Sequence, residues 1–263
     1  MSRKNVRIPL SVCWWPVRDP AAYDRGFARL TSYTVEPLLD ALGPRPRRLL
    51  DLGCGTGVVT AEALALGAEV TAVDSSPAML DVVARRHPGA TVRQATLPVL
   101  PFDAGSFDAA AGNFVINHVA DTPATLAELH RVLRPGGALA LTWWKSEEMT
   151  ATNVFAEALA AARVPYEPPA RPFTAVERPE RFAGLLTAAG FGEVGVRTLR
   201  WRHRVDPAAW WTGVVEAGGP RFEVITRQPP ETLARVRACY DRLAAPYAAA
   251  GFPVCARLAH GLR

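Results

Sequence analysis

The sequence predicts an α/β fold in which helices wind on both faces of a largely parallel sheet. Between residues 47 and 144, short apolar runs alternate with longer amphipathic runs, which is typical of successive strand-helix units. The first apolar run ends in a turn with three glycines, and the next ends in Asp74. Both features are typical of ligand-binding edges in doubly wound sheets.

The first two strands are predicted over 48–52 and 69–74, because both runs are short, apolar and bounded by turn residues. A helix is predicted near 58–66. A second helix begins at Pro77, with Ser76 as its N-cap, because proline is favoured at the first helical position and serine just before it.

The later part of the core follows the same alternation. The remaining core elements are predicted as a short strand at 91–93, strand 4 at 106–113, a helix at 122–133 and strand 5 at 138–144. The helix stops at Arg134-Pro135-Gly136-Gly137 because proline and glycine together end helices. Residues 14–42, before the core, are predicted to be helical and are rich in aromatic residues.

Periodicity loosens after the core. The proline-rich stretch 164–172 is predicted to be a lid or insert, since it suits neither helix nor strand. The elements predicted beyond it are helices at 178–189, 207–217 and 230–245, an edge strand near 194–204 in which His203 is solvated, and a last strand near 254–262. The chain is thus divided into an N-terminal helical cap (1–46), a binding core (47–145) and a segment of lid helices and strands that complete the same sheet (146–263).

Composition excludes several classes of protein. The 263 residues carry 30 Lys and Arg against 25 Asp and Glu, a net charge of +5, and the basic residues are dispersed among acids. No nucleic-acid partner is therefore expected. No run of 18 apolar residues occurs, so no membrane partner is expected and a cytoplasmic location is predicted. The four cysteines lack C-x-x-C spacing, which indicates neither a metal site nor a disulfide framework. A monomer or homodimer is expected.

The glycine-rich turn is the strongest chemical signal. Gly53, Gly55 and Gly57 occupy alternate positions between a predicted strand and helix, where they allow a ligand to approach the backbone closely. Their spacing is neither that of a phosphate-binding loop nor that of a dinucleotide-binding turn. Asp51 at the end of strand 1 would repel a pyrophosphate but could hold an ammonium group directly or through water.

Asp74 is placed where a carboxylate can accept both hydroxyls of a ribose. We favour this role over helix capping, because Ser76 is expected to supply the cap. A ligand with a ribose and an ammonium group but no phosphate describes S-adenosylmethionine.

Four ordered motifs resemble those of the class I S-adenosylmethionine-dependent methyltransferases, in the methyltransferase-domain-11-like subgroup that acts on small molecules. The motifs are Leu49 to Gly57, Val73 to Leu80, Leu100 to Asp108 and Leu133 to Gly137. The resemblance covers 47–144 well and implies a seven-stranded Rossmann-like sheet that binds S-adenosylmethionine and yields S-adenosylhomocysteine.

The resemblance also assigns roles to individual residues. It implies that Gly53 and Gly55 lie under the methionine portion of the cofactor, that Asp74 binds the ribose and that Met79 packs on adenine. The position that usually holds an acid for the adenine amino group is Thr96, followed by Leu97. The full set predicted to bind the cofactor is Asp51, Gly53, Cys54, Gly55, Gly57, Asp74, Ser75, Met79, Thr96, Leu97, Asn113 and Tyr23.

Residues after strand 4 and several aromatic side chains are candidates for acceptor binding. Asn113 ends strand 4 and should touch the methionine end of the cofactor. His118 is a candidate general base, because its ordinary pKa is near the operating pH, with a packed histidine as the alternative. The predicted acceptor pocket comprises Trp14, Trp15, Tyr33, Asn117, Trp143, Trp144 and Tyr166.

The predicted function is therefore methyl transfer from S-adenosylmethionine to a small molecule of secondary metabolism. The accepting atom is an oxygen, a nitrogen or a carbon. Three alternatives stay open at this stage. The chain could use the cofactor for another reaction such as a cyclisation, could be a non-catalytic binding module, or could methylate RNA.

Overall fold

Seven strands form one sheet in the computed structural model, which describes residues 19–43, 47–168, 171–219 and 221–263. The strands are β1 (Arg48–Leu52), β2 (Glu69–Asp74), β3 (Thr91–Gln94), β4 (Phe107–Asn113), β5 (Leu133–Trp144), β6 (Gly192–His203) and β7 (Phe252–Leu262). Trp14 and Trp15 lie outside the described residues, so the structure does not place these two predicted pocket residues.

The helices surround this sheet and also precede it. They are α1 (Pro20–Tyr23), which continues through a π-helical turn (Asp24–Ala28) into α2 (Arg29–Ser32), then α3 (Val35–Asp40), α4 (Val58–Ala65), α5 (Pro77–Arg86), α6 (Thr122–Val132), α7 (Thr150–Ala161), α8 (Pro179–Ala188), α9 (Pro207–Ala217), α10 (Glu223–Thr226), α11 (Pro230–Ala244) and α12 (Tyr247–Ala250). Short 3-10 turns cover Ile116–His118, Ser146–Glu148 and Pro172–Ala175.

The strand order confirms the doubly wound α/β fold. The order is β3-β2-β1-β4-β5-β7-β6, with β1 to β5 parallel and β7 antiparallel to both of its neighbours. Successive strands are added toward one edge of the sheet from β1 to β3 and toward the other edge from β4 onward, so the strand order reverses between β1 and β4. Ligands in open sheets of this kind bind beyond the carboxyl ends of the strands at that reversal.

Strand β5 begins earlier than predicted. Leu133 already pairs with Phe107, and regular pairing resumes at Ala138 opposite Ala109, so the Pro-Gly-Gly stretch forms an irregularity within the strand. Its backbone is also bonded to the end of the chain, because the Gly136 amide donates to the Arg263 carbonyl at 2.7 Å. The helix therefore ends as predicted, and the strand follows without an intervening loop.

The N-terminal helices pack against helices that follow β5. Phe27 meets Trp210 edge to face with ring centroids 5.6 Å apart, and both belong to one buried cluster with side chains from α7 and α11. The Trp210 indole donates a hydrogen bond to the Ala151 carbonyl at 2.6 Å. The first and third predicted segments thus share one core, and the division of the chain into three parts stays a prediction.

Within the part of the chain that the structure describes, no helix is long and apolar enough to cross a membrane.

Candidate functional site

The glycine turn joins β1 to α4 at the point where the sheet reverses. Gly53, Gly55 and Gly57 have φ values of +59°, +54° and +94°, a conformation that residues with a Cβ adopt at a cost. A Cβ on Gly53 would lie 2.5 Å from Val115 Cγ2, which is on the loop after β4. The loop after β4 therefore approaches the backbone of the turn closely, and a side chain at Gly53 would collide with that loop.

Tyr23 lies over this turn. A Cβ on Gly55 would come within 3.4 Å of the Tyr23 ring and 3.7 Å of its hydroxyl. Burial raises the pKa of Tyr23, and the nearby carboxylate of Asp74 and thiol of Cys54 add to that increase. The structure thus brings together Tyr23, Cys54, Gly55 and Asp74, four of the predicted cofactor residues, in one crevice.

Asp74 is held at the end of β2 by two backbone amides. Its Oδ2 accepts from the Gly55 amide at 3.0 Å and its Oδ1 accepts from the Ser76 amide at 2.9 Å. Burial raises the pKa of Asp74, although the bonds from these amides oppose the increase. Because each carboxylate oxygen accepts two hydrogen bonds, both oxygens keep a position for a ligand hydroxyl.

The expected capping role of Ser76 is wrong. Ser76 occupies the N-cap position of α5, but its hydroxyl makes no capping hydrogen bond. Asp74 instead accepts the Ser76 amide, as noted above, so one carboxylate both orders the start of α5 and faces the crevice.

Asp51 is enclosed beneath the turn. Only 1% of this residue is exposed, and its Oδ2 accepts a hydrogen bond from the Thr60 hydroxyl at 2.6 Å. Burial raises the pKa of Asp51 to about 7, against the opposing effect of the Thr60 hydrogen bond. A positive group beside the turn would favour the ionised carboxylate, which agrees with the predicted preference for a ligand with an ammonium group.

The residues predicted to hold adenine lie beside β3. Thr96 and Leu97 line a cavity of about 700 Å³ together with the residues around them, from Gln94 to Val99. Ser75 accepts a hydrogen bond from the Gln94 side chain through its carbonyl at 3.1 Å. Met79 is only 3% exposed in the first turn of α5.

The Asn113 side chain is hydrogen-bonded to three threonines of neighbouring segments, and its predicted contact with the cofactor stays a prediction. Its Oδ1 accepts from the hydroxyls of Thr34 and Thr142, at 2.7 and 2.8 Å, and its Nδ2 donates to the Thr31 carbonyl at 3.1 Å. These bonds fasten the N-terminal helices to β4 and β5. The Phe114 amide extends the network by donating to the Thr142 hydroxyl at 2.9 Å.

His118 lies in the 3-10 turn after β4, next to the buried side chain of Asn117. Burial lowers the pKa of His118 to about 4, and the charge of Arg171 adds to the decrease. Its Nε2 lies 3.0 Å from Asn117 Nδ2, while the buried Asn117 Oδ1 has no hydrogen-bond partner among the described residues. The lowered pKa favours the packed histidine over the general base, and the role of His118 stays a prediction.

Trp143 and Trp144 point to opposite faces of β5. Trp143 is 1% exposed, packs against Phe182 at 4.4 Å between ring centroids and donates through its indole nitrogen to the Glu177 carbonyl at 2.9 Å. It belongs to the core, which corrects its place in the predicted pocket. Trp144 stacks on Phe114 with centroids 3.5 Å apart and forms an aromatic wall at the end of the sheet.

The prediction that His203 is solvated is wrong. His203 is 1% exposed, and neither ring nitrogen has a hydrogen-bond partner among the described residues. Tyr33, which is 44% exposed, covers it edge to face and stacks on Trp201 with centroids 6.0 Å apart. Trp201 in turn lies 6.0 Å from Trp144, so Tyr33 and Trp144 are parts of one aromatic surface.

Several polar residues at this end of the sheet were not predicted from the sequence. Tyr166 was predicted to line the acceptor pocket. Its buried hydroxyl lies beside Arg221, which was not among the predicted site residues. Arg171 and Glu177 also approach each other there, at 4.0 Å between Nη2 and Oε2. Arg171 falls within the predicted lid, whereas nothing in the local sequence distinguishes Arg221 from the other dispersed arginines.

Comparison with known proteins agrees with this geometry. Residues 50–141 match the family model described as a methyltransferase domain. An uncharacterized methyltransferase of Mycobacterium tuberculosis is 38% identical over 127 residues, which cover 48% of this chain and 51% of that protein. A malonyl-acyl-carrier-protein O-methyltransferase of Pseudescherichia vulneris is 37% identical over 126 residues, which cover 48% of this chain and 50% of that protein.

A solved structure extends the comparison beyond the core. Phosphoethanolamine N-methyltransferase 2 of Haemonchus contortus, solved with S-adenosyl-L-methionine, aligns with a TM-score of 0.54 at 18% identity, over 88% of this chain and 52% of that chain. At this identity the likeness shows the fold. The chain spans about half the length of the curated relatives described above. The strand order and the glycine turn agree with the match of residues 50–141 to the methyltransferase domain, and together they support a class I S-adenosylmethionine-dependent methyltransferase core in this chain.

Proposed function

We propose that this chain binds S-adenosylmethionine in the crevice above the glycine turn and transfers its methyl group to a small-molecule acceptor. The observation that carries the proposal is the convergence of the turn, Asp74 and Tyr23 at the reversal point of the sheet. The family match over 50–141 and the cofactor bound in the structural neighbour support it.

The residues present fit this cofactor. Gly53 and Gly55 would allow the methionine portion to approach the backbone, since neither carries a side chain that would hold the cofactor away. Asp74 would accept the ribose hydroxyls through its remaining acceptor positions. Asp51 would favour the ammonium group electrostatically, and Thr96 with Leu97 would face the adenine ring.

Bound S-adenosylmethionine supplies a methyl group activated by a sulfonium leaving group. The contribution of the chain is then to hold the acceptor atom in line with that methyl group, roughly 3 to 3.5 Å away, and to exclude water. Trp144 and Tyr33 would form the wall against which the acceptor is positioned. Because the pKa of His118 is about 4, His118 is a weak base, so we favour an acceptor atom that is already nucleophilic.

The acceptor itself is selected outside the matched core. The two enzymes named for their acceptors above act on different molecules, a malonyl-carrier protein and phosphoethanolamine. Tyr33, Tyr166 and Arg221 all lie outside residues 50–141. We therefore infer that the N-terminal helices and the segments after β5 determine the acceptor, and we keep a small molecule of secondary metabolism as the predicted class.

Titration calorimetry with S-adenosylmethionine tests the cofactor assignment, with NAD as the comparison ligand. We expect affinity in the micromolar range, about −8 kcal/mol, and no NAD binding. Asp74→Ala should weaken binding by roughly 1.5 to 3 kcal/mol for each hydrogen bond lost. Asp121→Ala is the matched control, because Asp121 caps α6 through the Ala124 amide at 2.9 Å and is not part of the crevice.

Product analysis then separates methyl transfer from other uses of the cofactor. Release of S-adenosylhomocysteine with an acceptor supports the proposal, whereas turnover without it indicates a reaction such as a cyclisation. Equal affinity of Asp74→Ala and the parent chain for S-adenosylmethionine would refute the ribose assignment.

A further inference from the structure

Polar side chains meet beyond the end of β5 in an arrangement that the cofactor assignment does not use. Arg171 Nη2 donates to Ser146 Oγ at 2.7 Å, and Asn153 Nδ2 donates to the Ser146 carbonyl at 2.9 Å. Arg221 Nη2 donates to Asn153 Oδ1, also at 2.9 Å. This connected series holds two guanidinium groups at one end of the sheet, and we call it the Arg171–Arg221 cluster.

The positive charge of this cluster is incompletely balanced. Among the described residues, no carboxylate lies within 4.0 Å of Arg221, and Glu177 approaches Arg171 only to 4.0 Å, beyond hydrogen-bond distance. Burial lowers the pKa of Arg221, and its closeness to Arg171 also lowers it. Glu147 lies near Glu177 but is exposed, so water screens its charge. Two guanidinium groups thus face one partly buried carboxylate, and a further anion would relieve their repulsion.

Tyr166 adds a donor to the cluster. Its hydroxyl is buried beside the Arg221 guanidinium, which can donate to the hydroxyl oxygen, and no described residue accepts a hydrogen bond from the hydroxyl proton. Burial raises the pKa of Tyr166, although Arg221 opposes the increase, so the hydroxyl keeps its proton at neutral pH. A buried hydroxyl whose proton has no acceptor destabilises the fold unless a ligand accepts its hydrogen bond.

The cluster lies beside the proposed reaction centre. The charge of Arg171 acts on His118, which is in the turn directly after β4. Strand β4 is paired with β1, and the glycine turn leaves β1 at the same edge of the sheet. A small acceptor that contacts the cluster would therefore extend toward the crevice above the glycine turn.

We propose that the acceptor carries an anionic group, a carboxylate or a phosphate, bound between Arg171 and Arg221 with the Tyr166 hydroxyl as a further donor. This inference rests on the proposed function, which it deepens by giving the charge class of the acceptor. Arginine suits the role because its planar guanidinium donates two parallel hydrogen bonds to either group.

Titrations with matched aromatic probes test this inference. Benzoate and phenyl phosphate are compared with benzamide, which has nearly the shape of benzoate without its charge, in the presence and absence of S-adenosylhomocysteine. We expect at least one acid to bind about tenfold or more tightly than benzamide, since a charge-assisted hydrogen bond contributes that much. The acid that binds distinguishes a carboxylate site from a phosphate site.

Variants tie the preference to the cluster. Arg221→Met, which keeps much of the side-chain volume, should abolish the preference, while Arg221→Lys should retain part of it. Arg227→Met is the control, because that arginine side chain is 73% exposed. Equal binding of acids and benzamide, undetectable binding of both acids at millimolar concentration, or a preference that survives in Arg221→Met would overturn the inference. S-adenosylhomocysteine affinity measured on the same samples tests the proposed function separately, because the hydrogen bonds and ion pair described for the cluster involve no residue of the glycine turn.

Discussion

Replacing Asp51 with asparagine should change how the stability of this protein depends on pH. In the folded chain burial raises the pKa of Asp51 to about 7, from an ordinary value of 3.8. Folded molecules therefore keep this proton between about pH 4 and pH 7, whereas unfolded molecules release it. Because the folded state binds more protons in that window, the free energy of unfolding falls as the pH rises through it.

The size of the effect follows from the shift in pKa. One pKa unit corresponds to about 1.4 kcal/mol, so a difference of roughly three units makes Asp51 destabilising by about 4 kcal/mol above pH 7. The same group contributes nothing of this kind below about pH 4, where both states are protonated. An asparagine side chain in its place would not ionise, and its amide oxygen could still accept the Thr60 hydroxyl bond, so Asp51→Asn should lack this loss of stability.

Urea unfolding followed by tryptophan fluorescence measures the difference between the parent chain and Asp51→Asn at several pH values between 4 and 8. The free energy of unfolding of Asp51→Asn, relative to that of the parent chain, should rise by about 4 kcal/mol between pH 4 and pH 8. Asp108→Asn is the control. Burial raises the pKa of Asp108, but hydrogen bonds from Arg134 and Arg48 outweigh it, so its pKa lies below the ordinary value of 3.8 and Asp108 is ionised in both the folded and the unfolded chain across this range. The curve for Asp108→Asn should therefore run parallel to that of the parent chain, at lower stability. Parallel curves for Asp51→Asn and the parent chain would refute the reasoning about Asp51.

Three further substitutions test the geometry of the crevice. Gly53→Ala should destabilise the fold by more than Gly67→Ala. Both glycines have positive φ, but only at Gly53 would the added Cβ meet a side chain, that of Val115. Equal urea midpoints of unfolding for the two variants would contradict this clash. Asn113→Ala should cost about 2 to 3 kcal/mol in the free energy of unfolding through its lost buried hydrogen bonds, and a loss below about 0.5 kcal/mol would show that the network is not stabilising. Thr96→Asp should tighten binding of S-adenosylmethionine in a calorimetric titration, because a carboxylate accepts hydrogen bonds more strongly than a hydroxyl does, and weaker binding would show that Thr96 does not face adenine.

The sequence alone determined the core and the site of its proposed cofactor. Strand β1, the glycine turn and Asp74 are contiguous or nearly contiguous motifs whose spacing encodes their geometry, since strand ends and tight turns depend on neighbouring residues. The alternation of side chains along a strand likewise explains why Trp143 and Trp144 face opposite sides of the sheet. These features are local, and local patterns predict them.

The tertiary structure alone decided which side chains are free to act. The side chain of Asn113 is hydrogen-bonded by the hydroxyls of Thr34 and Thr142, which are distant in sequence, and no local pattern indicated these partners. The lowered pKa values of His118 and His203 could not be predicted locally either. Both follow from desolvation, which depends on every segment packed around a ring. Arg171 and Arg221 are 50 positions apart in the sequence, and only packing after β5 joins them through Ser146 and Asn153. Burial and charge balance are sums over residues that are remote in the chain, so no local pattern could determine them.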